Sequence, residues 1–137
     1  MRYLLDTNAC ISLINERPVS VRESFDKALS LGSEFYTSCI VIFELWYGVS
    51  KSRRREANTQ VLAGFLSGMI HELAFDQEDA RMAGELRADM EKIGKPVGDY
   101  DLLIAGQALR HKMTLVTANT KEFERIKALL WEDWSKA

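Results

Sequence analysis

Short apolar runs alternate along the chain with longer segments whose apolar residues recur at helical spacing. Arg2-Tyr3-Leu4-Leu5-Asp6 predicts a buried strand ending on an acid. Thr7 and Asn8 suit the cap of a following helix, with Cys10, Leu13 and Ile14 on one side. Pro18 interrupts. Beyond it Ser20 and Glu23 have the spacing of a capping box, and Val21, Phe25, Ala28 and Leu29 form a stripe that stops at Gly32. Residues 34–38 predict a second strand and 39–49 a helix weakened at Gly48. A further helix over 54–67 turns Val61, Leu62, Phe65 and Met69 inward, and 71–75 predict a third strand. The clearest helix covers 77–93, where Met82, Leu86, Met90 and Ile93 repeat between charges. The breakers of 94–98 predict a loop, and 99–112 a helix apolar nearly all round and therefore buried. Residues 114–118 read as a fourth strand, Asn119 opens a turn, and Leu129-Leu130-Trp131 predict a fifth strand at an edge.

Strands separated by helices predict an α/β three-layer sandwich, with a mainly parallel sheet of four to five strands flanked by helices. No repeat, linker or low-complexity segment divides the 137 residues, so 1–137 form one domain. In such sheets ligands sit outside the carboxyl ends of the strands. Asp6 ends the first strand and Asn119 follows the fourth, while Glu44 and Asp101 lie in the opening turns of helices that leave the same edge.

Composition narrows the function classes. With 47% apolar and 28% charged residues the chain is an ordinary globular one, not a disordered one. Its longest apolar run, 39–43, falls far short of the roughly 20 residues that cross a bilayer. Asp6 falls where a signal peptide needs its apolar stretch, and Cys10 and Cys39 are too few for a disulfide framework; both point to the cytoplasm. Eighteen Lys and Arg against twenty Asp and Glu give a net charge of −2, so a polyanion would have to be met by a local basic patch or a bound cation.

The acids supply the second possibility. Like charges held a few ångströms apart repel; protonation of one relieves this, and so does a divalent cation. Mg²⁺ and Mn²⁺ prefer hard oxygen ligands and often keep several waters beside one or two carboxylates. Such an ion polarises a phosphoryl oxygen, acidifies a water and supplies positive field. Asp6 also suits a helix cap, and Asp99 reads as one. Glu44 and Asp101 stand inside apolar runs, where an acid is costly unless paired or metal-bound. Ala105 and Ala108 share a helix face with Asp101 and let that helix approach the sheet.

Leu4-Leu5-Asp6-Thr7-Asn8, Phe43-Glu44-Leu45-Trp46-Tyr47-Gly48, the stretch Gly94-Lys95-Pro96-Val97-Gly98-Asp99-Tyr100-Asp101 with Leu102 to Ala105, and Val116-Thr117-Ala118-Asn119-Thr120 with Phe123 resemble the successive motifs of the PIN-domain ribonucleases, and among them the VapC toxins. The likeness runs from residue 1 to Trp134. It implies a Mg²⁺- or Mn²⁺-dependent endoribonuclease that leaves a 5′-phosphate and a 3′-hydroxyl, is inhibited by a VapB-type antitoxin and forms a homodimer. By motif position Asp6, Glu44 and Asp101 match the metal-binding acids, and Asn119 completes the catalytic set where many members carry aspartate. Thr7, Asn8, Ser38, Thr117 and Asp99 are candidates for orienting these acids, each with helix or turn capping as its other role. The loop 96–98 and the segment 117–120 are similar to those of the subgroup that cuts initiator tRNA in its anticodon stem-loop.

Lys51, Arg53, Arg54 and Arg55 form the one dense basic run, which either grips RNA phosphates or is a solvated turn. His71 and His111 lack the spacing of a zinc site, and Cys10 and Cys39 lack an adjacent base. Trp46 suits either the core or a face shared with a partner. Two other readings compete: a phosphoacceptor domain using Asp6, with Lys121 as its lysine, although Asn8 stands where such phosphatases need a second aspartate; and a non-catalytic RNA- or protein-binding module.

Overall fold

The computed structural model describes residues 1–136. The order is β1 (Arg2–Leu5), α1 (Thr7–Asn15), α2 (Val19–Ser30), β2 (Glu34–Ser38), α3 (Cys39–Ser50), α4 (Arg55–Leu66), β3 (His71–Leu73), α5 (Gln77–Lys92), α6 (Asp99–His111), β4 (Thr114–Val116), α7 (Thr120–Phe123) and β5 (Trp131–Glu132). The strands form one sheet in the order β3-β2-β1-β4-β5, and every pairing is parallel. Helices flank it, as the alternation of periods predicts.

β1 is central, and Leu4 and Leu5 are wholly buried. Each such side chain contributes roughly 1.5–3 kcal/mol. Tyr3 and Phe35 pair across β1 and β2 and stack at 5.9 Å, with Phe25 of α2 4.3 Å from Phe35 and Trp134 5.2 Å from Tyr3. The register sets Leu5 beside Thr37 on one flank and Val116 on the other. Asp6, Ser38 and Thr117 therefore come one residue later at the same edge. The chain builds β2 and β3 on one side of β1, then returns to build β4 and β5 on the other, so this edge is a topological switch point.

Several local expectations are corrected by tertiary packing. Asp6, not Thr7 or Asn8, caps α1. No capping box forms at Ser20 and Glu23, because α2 begins at Val19 with Pro18 in the cap position; the box is at Asp76 and Asp79 of α5 instead. On α4 Leu62 is buried, Phe65 half-buried and Val61 exposed, and Met69, past the end of the helix, is exposed. On α5 Met90 is buried, Met82 and Leu86 are half-buried and Ile93 is exposed. Ala83 packs instead where Gly106 of α6 comes so near that an added Cβ would lie 3.0 Å from the Ala83 backbone. Beside this crossing the buried Asp79 accepts from Arg110 at 2.9 Å and from Gln107 at 3.1 Å, with His111 Nε2 at 3.2 Å. The third and fourth strands are shorter than their apolar runs, the fifth begins at Trp131, and the short α7 carries no signal of helical length. No helix is long and apolar enough to cross a membrane among the described residues.

Candidate active site

Asp6 leaves the end of β1 and its Oδ1 accepts from Ala9 N at 2.9 Å, closing the first turn of α1. The residue is 6% exposed. Burial pushes its carboxyl up to about 6; the Thr117 hydroxyl and the Ala9 N–H oppose this, and the charges of Asp101 and Glu44 add to it. Capping and site membership are thus one placement, since a residue that ends a parallel strand also starts the next helix.

Glu44 stands in α3, held at the edge by its buried neighbours Val41 and Leu45. Its Oε1 accepts from Thr7 Oγ1 at 2.9 Å. Asp101 stands in the first turn of α6 and its Oδ2 accepts from Asn119 Nδ2 at 3.0 Å. Partial burial raises the Asp101 carboxyl, as do Glu122 and Glu44, against the Asn119 amide. The structure thus brings Asp6, Glu44, Asp101 and Asn119 to one edge, and among the described residues no Lys, Arg or His forms an ion pair with any of the three acids.

The supporting residues divide. Thr7 holds Glu44, while Thr117 lies beside Asp6 and its Oγ1 accepts from Asn119 N at 2.9 Å. Ser38 is buried but serves its own helix, accepting from Ile40 N at 3.0 Å. Asn8 is exposed. Asp99 is neither cap nor part of the acidic group: Gly98 occupies the cap position, and Asp99 is exposed in the field of Arg87.

Glu122 escaped the reading of the sequence. Gly98 offers no side chain to cap α6, and Glu122 of α7 supplies one from a distance, its Oε1 accepting from Gly98 N at 2.6 Å. Arg125 braces the same corner by donating to Pro96 O at 2.9 Å. The only sequence signal was an acid beside Phe123, whose complete burial seats α7.

Oxygen donors alone make up this set, which suits a hard divalent ion. Among the described residues no three Asp, Glu, His or Cys side chains stand close enough together to hold a metal ion by themselves.

Elsewhere, Lys51, Arg53 and Arg54 are exposed at the turn between α3 and α4, and Arg55 is exposed at the start of α4. His71 lies against Tyr36, and burial pushes the Cys10 thiol up to about 12, out of reach of nucleophilic work. Trp46 is half-buried against the core. An apolar groove of about 320 Å³, lined by Ile11, Ile14, Leu45, Val49 and Leu62, opens beside Glu44.

A PIN domain family model matches residues 3–129. The chain belongs to the PIN-domain family. Within it the tRNA(fMet)-specific endonuclease VapC of Shigella flexneri is 42% identical over 135 residues, covering 98% of this chain and 99% of that protein. Ribonuclease VapC2 of Rickettsia felis is 42% identical over 136 residues, covering 99% and 100%. Among solved structures, a chain of VapBC2 from Rickettsia felis bound to a DNA fragment from their promoter superposes with a TM-score of 0.88 at 39% identity, covering 96% of this chain and 98% of that one. A chain of DNA-bound VapBC from Salmonella typhimurium gives 0.88 at 40% identity, covering 98% of each. The family and the fold that the motifs implied are both borne out.

Proposed function

We propose that this PIN-domain chain is the toxin of a toxin–antitoxin pair, an endoribonuclease dependent on Mg²⁺ or Mn²⁺. The observation that carries the reading is a buried aspartate, Asp6, facing Glu44 and Asp101 with no ion pair to a Lys, Arg or His among the described residues. Asp6, Glu44 and Asp101 would hold the ion. Bound there, a divalent cation supplies positive charge to the oxygens of a phosphodiester and acidifies a water.

The chain's own residues prepare the site. Ala9 N–H fixes Asp6, Thr7 fixes one oxygen of Glu44 and Asn119 one oxygen of Asp101. These bonds keep the acids together despite their repulsion. Asn119 contributes a neutral amide where an acid would add to the repulsion, and Glu122 anchors the start of the helix that carries Asp101.

The relatives named for tRNA(fMet), together with the likeness of 96–98 and 117–120, support initiator tRNA as the substrate. A VapB-type antitoxin is the partner we assign, seated on the apolar groove beside Glu44. The test is incubation of antitoxin-free protein with total RNA, with Mg²⁺, with Mn²⁺ and with EDTA, and mapping of the cut sites. Cuts in the initiator tRNA anticodon stem-loop with either metal, absent in EDTA and in Asp101→Asn, are expected. Undiminished cutting by Asp101→Asn overturns the assignment of the acids, and no cutting of any RNA overturns the nuclease.

A further inference from the structure

Phe43, Tyr47 and Lys51 recur every fourth residue along α3 and its end, and so share one ridge of that helix. Phe43 is 54% exposed and Tyr47 60%. At one end of the ridge Phe43 meets Tyr100 of α6, itself 49% exposed, edge to face at 5.7 Å. Each of these two rings immediately precedes a site acid, Glu44 and Asp101. At the other end the Lys51 ammonium lies 4.6 Å over the Tyr47 ring, and the chain runs on into Arg53, Arg54 and Arg55. None of these four cations forms an ion pair among the described residues, although the chain as a whole carries a net charge of −2.

We infer that this ridge is a track for an unpaired stretch of RNA, leading from the basic turn to the acids. Bases stack on Tyr47 and on the Phe43–Tyr100 pair, and phosphates meet Lys51 and the arginines. The inference rests on the ribonuclease reading and adds how the substrate is held. Exposed rings interleaved with cations are the pattern that binds single strands, because every base has a stacking face and every linkage a charge. Charge complementarity selects the occupant: four unneutralised cations continue the aromatic ridge, which suits a polyanion. A duplex shields its bases from such stacking, so the track favours loops and unpaired ends.

The test uses the full chain and a short unpaired RNA carrying 2-aminopurine, with binding followed in EDTA by anisotropy and by the change in 2-aminopurine emission on stacking. Tyr47→Leu is expected to weaken binding roughly ten-fold and to diminish the emission change, and Tyr47→Phe to restore both. Lys51→Ala is expected to lower the slope of log affinity against log salt by about 0.7. A duplex of the same sequence should bind more weakly than the single strand. Cleavage of total RNA by the wild-type chain with Mg²⁺, run alongside, reports separately on the nuclease reading. If the wild type cuts RNA while Tyr47→Leu binds and stacks like the wild type, the track is overturned and the nuclease stands. If the wild type neither binds nor cuts, both fall. Should sedimentation show that Tyr47→Leu loses self-association while its affinity per chain for RNA is unchanged, the ridge belongs to a second copy and the track is overturned.

Discussion

Thr7 Oγ1 donates to Glu44 Oε1 at 2.9 Å, joining residues 37 positions apart. Thr7 is the first residue of α1, and Glu44 lies in the second turn of α3. The bond ties two helices at the sheet edge and fixes one oxygen of the acid, leaving Oε2 without a hydrogen-bond partner among the described residues. Thr7→Val keeps the shape and removes the donor. RNA cleavage and Mn²⁺ affinity are expected to fall roughly 10–100-fold, with Thr7→Ser close to wild type. Single-turnover cleavage and calorimetric Mn²⁺ titration measure this, and an unimpaired Thr7→Val would leave the bond without a functional role.

The buried Asp6 carboxyl is expected to make the metal-free protein less stable at neutral pH. Its carboxyl is raised to about 6 in the folded chain from 3.8. Between these values the folded state binds more protons than the unfolded one, so this group favours folding as pH falls from about 6 towards 4 and opposes it above 6. Asp6→Asn removes the charge and keeps an oxygen for Ala9 N. In EDTA at pH 7.5 it is expected to be more stable than wild type by about 3 kcal/mol, from roughly two pH units at 1.36 kcal/mol each. The gain should shrink towards pH 4. Divalent ions should raise the wild-type Tm more than that of Asp6→Asn. Melting curves across pH with and without Mn²⁺ decide this; an Asp6→Asn variant less stable than wild type at pH 7.5 would contradict it.

Asp79 acts in the opposite direction and in another window. Burial pushes its carboxyl up, but the Asp76 N–H and the Arg110 and Gln107 side chains outweigh this and hold it below the ordinary range. Its stabilisation is therefore present above about pH 4 and lost as pH falls further. Asp79→Ala strips acceptors from Arg110, Gln107 and the Asp76 N–H, and should cost about 2–3 kcal/mol in urea titrations at pH 7. The cost should decline below pH 4, and a constant cost would show that packing alone is lost.

Glu122 offers a separate test of α6. Glu122→Ala removes the acceptor of Gly98 N and should cost about 1 kcal/mol, as loss of a helix cap does. Glu122→Gln retains an acceptor while removing a charge that raises Asp101. It is expected to recover most of the stability and to bring the Asp101 carboxyl down, read by carboxyl-carbon NMR titration. An unmoved titration would separate Glu122 from the acidic group.

Much of the site was legible because its acids sit where periodicity changes. Asp6 ends an apolar run, Glu44 interrupts one and Asp101 opens one, and an acid at each place needs a reason that local structure does not supply. The position of Asp99 and the role of Glu122 were not legible, for one cause. Local spacing reports only neighbours in sequence, whereas the Gly98 N–H at the start of α6 finds its acceptor on Glu122 of α7. The Ser20–Glu23 box fails because helix α2 starts at Val19, two residues before the start that a Ser20 cap implies, and spacing alone does not set a start.

Alternation of short buried runs with amphipathic segments was enough for the layered parallel α/β fold, because a sheet covered on both faces needs continuous apolar strands and each crossover needs a helix. What the chain order left open was which flank of β1 each strand takes and how far each helix advances before packing stops it. Those depend on contacts between distant residues, such as Gly106 on Ala83 and Thr7 on Glu44. They alone decided that four separate stretches end side by side, with their charges close enough to be felt.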